Sequence, residues 1–429
     1  MDVVGTADPY FVAKIDDNVS MVSTVKTNTL TPVWNEIWRV KNVPMTSDLV
    51  VEVLDKDVGA PIDDYIGKFK TGVAAGAKEL EIEGPLFRRD RGTFWLKIDA
   101  TPSADPAEPR YLFDGPIRYS KHISPTVGRL TNVDDAHLYS TWKMYLIGVP
   151  IYFKDVYQHW NVNYKAAQTI FGSGPTSLAI RVGIHAGHKM LYARSTSNGF
   201  GIIQSAADVL TLFHGGSIIG SEQEYLSIQA AKVDGTAAPI VPSSLAHRVK
   251  PAVYTYIISA EDDSLRFSET GAAFFVDFAS KHALHANCCE RVRYSGEFHP
   301  RPRSRSRGDD SWVGWQNFND SMPDDTVDWE VIIDNNSGTY SPDKAMLPTL
   351  KALLEHNFPG IGVQAFDRED EELKQSVQAC RDYALKHRGV LAKHLQPHLE
   401  EGEESLMKRA GAEESSVPSS AGPSTSSGT

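Results

Sequence analysis

The residues best suited to chemistry lie in Val53-Leu54-Asp55-Lys56-Asp57-Val58-Gly59-Ala60-Pro61-Ile62-Asp63-Asp64-Tyr65-Ile66-Gly67, an apolar strand that runs through a loop with four aspartates into a second strand. A hard divalent cation needs several carboxylates converging from one or two loops, because only full charge and multidentate oxygen compensate for its lost hydration. The stretch reads as one half of a calcium site. The other half stands at the start, where Asp2 and Asp8 are six residues apart in Asp2-Val3-Val4-Gly5-Thr6-Ala7-Asp8-Pro9-Tyr10, ahead of the extended run Tyr10 to Ile15.

These residues resemble the C2 domain, the β-sandwich module of protein kinase C and the synaptotagmins. Its first calcium loop reads Asp, five residues, Asp-Pro-Tyr, which Asp2 and Asp8 fit; its third reads Asp-x-Asp, five residues, Asp, which Asp55, Asp57 and Asp63 fit. Leu30-Thr31-Pro32-Val33-Trp34-Asn35-Glu36 is similar to the family's Asn-Pro-x-aromatic-Asn-Glu turn, with Thr31 in place of the usual Asn. The resemblance implies calcium as cofactor, an anionic phospholipid surface as partner, and Asp2, Asp8, Asp55, Asp57, Asp63 and Asp64 as metal ligands. Asp63 and Asp64 compete for the last position: spacing from Asp57 favours the first, spacing to Gly67 the second. Val3, Val4, Val58, Pro61 and Ile62 are apolar at the tips of the same loops. They either pack on one another or, as in the family, contact the membrane. The plainer alternative for all the aspartates is a set of solvated turns.

The elements that must position these loops are short strands at sandwich spacing: Tyr10 to Ile15, Val19 to Val25, Glu36 to Val40, Leu49 to Leu54, Ile66 to Thr71 and Thr93 to Ile98. The family has one or two strands before the first calcium loop, and this chain opens inside that loop. The expectation is therefore an antiparallel β-sandwich over residues 1–100 lacking its first strand or strands, with the first loop anchored on one side only. A Pro-rich linker, residues 101–110, follows.

Residues 111–395 carry dense aromatic and apolar positions and read as an α/β domain with a mixed sheet. Helices are expected over Val162 to Phe171, Ser177 to Ala193, Gly201 to Phe213 and Gly271 to Ala286, and strands over Ala252 to Ser259 and Val292 to Phe298. A β-α-β-α run follows, with strands at Trp329 to Ile333 and Gly360 to Phe366 and helices at Pro342 to His356 and Asp367 to Lys386. An Arg/Ser/Pro-rich insert at 299–310 and an acidic, then Ser-rich tail at 396–429 read as unfolded.

Two weaker constellations sit in this domain. His282, His285, Cys288, Cys289 and His299 are metal-like residue types at a spacing that matches no zinc signature. Asp334, Ser337, Gly338 and Thr339 lie in a loop joining a strand to a helix, where parallel sheets place ligands, and the same residue types also make a plain turn. Together His282, His285, Asp334, Ser337, Gly338 and Thr339 form a candidate pocket without an assigned catalytic residue.

A net charge of −12 on 429 residues argues against nucleic-acid binding. It also repels anionic lipid, which makes a bridging cation decisive. Three cysteines are too few for a disulfide framework, and no apolar run approaches a membrane span. A cytoplasmic protein with peripheral membrane association is expected. The sequence thus reads as a calcium-dependent phospholipid-binding protein in which a C2 module targets an α/β domain to membranes. The alternatives are an enzyme acting on a lipid or phosphorylated substrate and a non-catalytic interaction scaffold. The arrangement further resembles fungal C2-containing proteins, a resemblance that implies no activity.

Overall fold

The computed structural model describes residues 7–56, 63–84, 91–103, 109–123, 140–192, 199–214, 248–270, 280–305, 312–388 and 390. The expected tail 396–429, the centre of the linker at 104–108, and Asp2, Val3, Val4, Asp57, Val58, Pro61 and Ile62 lie outside them.

The first part holds strands β1 (Pro9–Ile15), β2 (Val19–Val22), β3 (Val40–Lys41), β4 (Asp48–Asp55), β5 (Asp64–Gly72), β6 (Gly76–Glu81) and β7 (Thr93–Ile98). Alternation puts Phe11, Ala13 and Ile15 of β1 and Val51 and Val53 of β4 on one face, where they meet Phe69, Phe94 and the half-buried Trp34 and Trp38. The antiparallel order β2-β1-β4-β5 forms one layer, and the hairpin β6-β7 lends Leu80, Phe94 and Leu96 to the same core. Phe11 makes edge contacts with Trp34 at 4.9 Å and Phe94 at 5.1 Å.

Two expectations change here. The strand expected over Glu36 to Val40 shrinks to Val40–Lys41, which pairs with β8 (Leu112–Phe113), beyond the linker. Residues 31–39 form no strand, although Trp34 and Trp38 still turn into the core. The first loop, expected to be anchored on one side, is held on both from Ala7 onward. Lys56 N–H donates to the Asp8 carbonyl on one flank, and Thr29 N–H and Lys26 N–H donate to the Ala7 and Pro9 carbonyls on the other. The turn after β2 supplies the second flank.

The larger domain is built on a mixed sheet in the order β12-β9-β10-β14-β13-β16-β17-β18. Its strands are β9 (Arg118–Ile123), β10 (Ser140–Tyr145), β12 (Gly199–Ile202), β13 (Tyr254–Ile258), β14 (Ser264–Glu269), β16 (Tyr294–Ser304), β17 (Val327–Asp334) and β18 (Gly362–Phe366); β11 (Gln158–His159) and β15 (Arg291–Val292) pair separately. The helices are α1 (Val149–Phe153), α2 (Lys165–Phe171), α3 (Pro175–Tyr192), α4 (Ala206–Thr211), α5 (Lys281–His285), α6 (Leu347–Asn357) and α7 (Glu371–His387). Among the described residues all ladders are antiparallel except β17 with β18, which are parallel and joined through α6, as the β-α-β pattern implies. No helix among the described residues is long and apolar enough to cross a membrane.

One side of the sheet is aromatic and aliphatic: Trp142, Tyr254, Phe267, Phe298 and Ile333 pack with Leu350, Leu353 and Leu354 of α6. The positions between them are polar yet buried, including Thr141, Arg266, Ser268, Ser295 and His299. Alternation that normally separates core from solvent here separates an apolar interior from a polar one.

The insert expected to be unfolded is, through Ser304, the second half of β16, with His299 and Arg301 buried. In an antiparallel strand the N–H and C=O of one residue point the same way. Pro300, Pro302 and Ser304 point away from β17: Trp315 Nε1 donates to the Pro300 carbonyl, Gly314 N–H to that of Pro302, and Ser304 N–H to the Trp312 carbonyl. Prolines spaced by two therefore remove no ladder bond. Arg301 pairs with Glu330 at 2.7 Å and Glu372 at 3.0 Å, and Arg305 with Asp328 at 2.8 Å, so part of the basic run is neutralised in place. Residues 306–311 lie outside the described residues.

The helix expected from Gly201 starts only at Ala206, behind a capping box in which Ser205 and Asp208 exchange hydrogen bonds. Gly201 belongs to edge strand β12, where a Cβ would stand 2.4 Å from the Tyr119 ring.

Candidate functional site

The acidic site is assembled by register. Pro9 pairs with Asp55 across β1 and β4, and Asp55 pairs with Asp64 across β4 and β5, so Asp8, Asp55, Asp63 and Asp64 come to one end of the sheet. Asp55 is buried and accepts the Asp8 backbone N–H at 2.7 Å, while the Asp8 carboxylate accepts Asn28 N–H at 2.7 Å. Hydrogen bonds of this kind fix the direction of a carboxylate.

The ambiguity between Asp63 and Asp64 takes a definite geometric form. Asp63 turns inward, with one oxygen 2.6 Å from Lys56 Nζ and the other accepting the Tyr10 hydroxyl at 2.7 Å. Asp64 begins β5 and is exposed. The Lys56 side chain is 1% exposed, so a positive charge is already buried among these carboxylates. Residue types flagged Asp55 and Asp57, but nothing in the spacing singled out the lysine between them. Among the described residues no group of three or more His, Cys, Asp or Glu side chains stands close enough to hold a metal ion.

The Leu30 to Glu36 turn does structural work through Trp34 and Glu36. One Glu36 oxygen accepts both Thr24 N–H at 2.9 Å and its hydroxyl at 2.7 Å, and Trp34 Nε1 donates to the Thr24 carbonyl at 2.9 Å. The other Glu36 oxygen pairs with Arg118, at the start of β9. Both side chains are largely buried, and Arg118 together with the Thr24 bonds lowers the Glu36 pKa against the opposing effect of burial. This clamp and the β3-β8 ladder tie the sandwich to the larger domain.

The second constellation does come together. Thr339 donates to Ser280, the N-cap of α5, and His282 Nε2 donates to the Gly296 carbonyl at 3.0 Å. Gly296 lies against Asp334: a Cβ there would be 2.1 Å from the Asp334 carbonyl oxygen. Asp334 accepts Glu297 N–H and Asn336 N–H, while burial, with Glu297 close by, raises its pKa to about 8. His285 bridges Ser268 and Tyr192, each at 2.8 Å, and Ser337 accepts Tyr340 N–H. Burial lowers His282 to about 4 and holds His285 well below the usual range, so both rings are neutral at pH 7. A Cβ at Gly338 would meet the Tyr164 ring at 2.8 Å. The six residues lie in a closely packed interior in which the side chains of His282, His285, Asp334, Ser337 and Thr339 each hydrogen-bond a neighbouring residue. His299 instead bonds Ser376 of α7, and Cys288 and Cys289 are free thiols.

The first part is thus an antiparallel sandwich that gathers acidic residues at one end of its sheet, attached to a mixed α/β domain. Residues 1–95 match the family model of the C2 domain. No curated protein and no solved structure matches the chain. The match lies wholly in the first part, and the likeness of the larger domain to fungal C2-containing proteins gains no support from it.

Proposed function

We propose that the C2 region binds calcium through Asp8, Asp55, Asp63 and Asp64, with Asp2 and Asp57 completing the set, and thereby brings the α/β domain to anionic phospholipid as a peripheral membrane protein. The observation that carries this reading is the register Pro9–Asp55–Asp64, which sets carboxylates from three strand ends at the same end of the sheet. Their oxygens are the hard donors that calcium prefers. Lys56 supports the fit, because the loops already hold a cation at Asp63.

In this reading calcium displaces the ammonium from Asp63, neutralises the acidic end and bridges it to lipid phosphate. Val3, Val4, Val58, Pro61 and Ile62 then meet the acyl boundary. The test is sedimentation with phosphatidylserine-containing vesicles in calcium and in chelator. The full chain is expected in the pellet only with calcium, and equal partition in both conditions defeats the calcium-dependent reading.

The α/β domain is cargo in this account. The close packing of His282, His285, Asp334, Ser337, Gly338 and Thr339 gives no specific support to the enzyme alternative.

A further inference from the structure

A second site, separate from the acidic loops and independent of the calcium reading, lies on the large sheet where β9, β10 and β14 run side by side. Lys121 of β9 is the register partner of Trp142 of β10, and Trp142 is the partner of Phe267 of β14. Both Lys121 and Trp142 are 3% exposed. Lys121 has no hydrogen bond or ion pair among the described residues; its Nζ lies over the Trp142 ring, 5.3 Å from the centroid. The Trp142 Nε1 hydrogen is buried without an acceptor. Among the described residues neither of these two buried donors, one of them charged, has an acceptor, whereas buried polar groups are ordinarily paired.

The surrounding charges do not supply the missing acceptor. Glu269 and Lys250 both act on Lys121 electrostatically, but both Glu269 carboxylate oxygens are taken by Lys250 at 2.9 Å. Lys281, which burial pulls down to about 7, donates to the carbonyls of Glu269 and Thr270 at the same strand end. Burial, with Lys250 adding to it, pulls Lys121 down to about 8, which leaves it mostly protonated at neutral pH. On its other side Lys121 pairs with Gly199 of β12, a residue with no side chain to crowd it. A water molecule can accept a hydrogen bond but cannot neutralise the ammonium.

We propose that Lys121 and Trp142 form a binding site for the oxyanion group, phosphate or carboxylate, of a small ligand. The ammonium supplies the charge, and the indole N–H supplies direction. Lys250 is balanced by Glu269, so the positive charge facing a ligand is that of Lys121, which disfavours cations.

The test titrates inorganic phosphate, and in a separate arm acetate, into the full chain in chelator at ionic strength held constant with chloride, reading melting temperature and tryptophan fluorescence. One of the two anions is expected to bind saturably, and which one identifies the oxyanion as phosphate or carboxylate. Lys121→Met is expected to weaken that binding at least tenfold, Lys121→Arg to retain most of it, and Trp142→Phe, which keeps a ring and removes the N–H, to weaken it severalfold. If Lys121→Met does not fold, Trp142→Phe and Lys121→Arg carry the comparison. Absence of saturable binding of either anion to the wild type overturns the site, as does binding that neither Lys121→Met nor Trp142→Phe changes.

Discussion

Replacing Lys56 by Met removes the cation that calcium has to displace. The Lys56–Asp63 contact is 2.6 Å long, with the lysine side chain 1% and the aspartate side chain 13% exposed, so water screens it weakly. A hydrogen bond to a charged group contributes about 1.5–3 kcal/mol net. The variant therefore loses about that much stability in chelator. The loss stays at this level because Asp63 keeps the Tyr10 hydroxyl and some access to solvent. Calcium binding to the wild type must break this bond, and binding to the variant need not. The same 1.5–3 kcal/mol then appears as a calcium Kd about 10- to 150-fold lower in Lys56→Met. Isothermal titration of calcium into both proteins, paired with urea unfolding in chelator, measures the two effects separately. An unchanged Kd together with the expected loss of stability would show that the ion does not use Asp63, and the reasoning fails.

Other outcomes follow from the same geometry. Asp55→Asn with Asp57→Asn is expected to abolish calcium-dependent vesicle sedimentation, since each change removes a charged oxygen; sedimentation that persists with calcium contradicts it. Val58→Asp with Ile62→Asp should remove roughly 2–4 kcal/mol of transfer energy and weaken vesicle binding about 30- to 1,000-fold, while calcium titration without lipid shows little loss. Gly296→Ala, whose new methyl would stand 2.1 Å from the Asp334 carbonyl oxygen, should cost about 3 kcal/mol in urea unfolding; a neutral result means the strand shifts freely. For acid, His282 is held at about 4 against about 6.5 in the unfolded chain. The folded state thus binds fewer protons between those values, and its stability is full above pH 6.5 and falls as the pH drops toward 4. The contribution is roughly 3 kcal/mol, read from urea unfolding at pH 7.5 and pH 4.5, and His282→Gln should flatten that slope.

Short alternating runs and the aspartate spacings were enough to read the sandwich and its acidic loops, because a half-buried strand writes its period of two directly into the chain. Strands β4, β5 and β7 and helix α3 lie close to where periodicity places them, whereas α6 and α7 start about a turn late, at Leu347 and Glu371 rather than Pro342 and Asp367. Strands β9, β10 and β14 carry buried polar residues at alternate positions, such as Ser120, His122, Thr141 and Arg266, and so lack the contrast between core and solvent that marks a strand. Pro300 and Pro302 read as breakers because only the neighbouring segment 312–315 reveals which way their backbone faces. The same limit governs the sites. The residue types of Asp8, Asp55, Asp63 and Asp64 were legible in the sequence as a set of hard oxygen donors. That Asp63 turns in toward Lys56 and Tyr10 while Asp64 stays outside depends on the register of β4 and β5. Lys121 and Trp142 are 21 residues apart in sequence, and nothing links them until the β9-β10 ladder sets one beside the other. Sequence determines which groups are available, but whether a buried charge finds its partner is decided by contacts between strands that are distant along the chain.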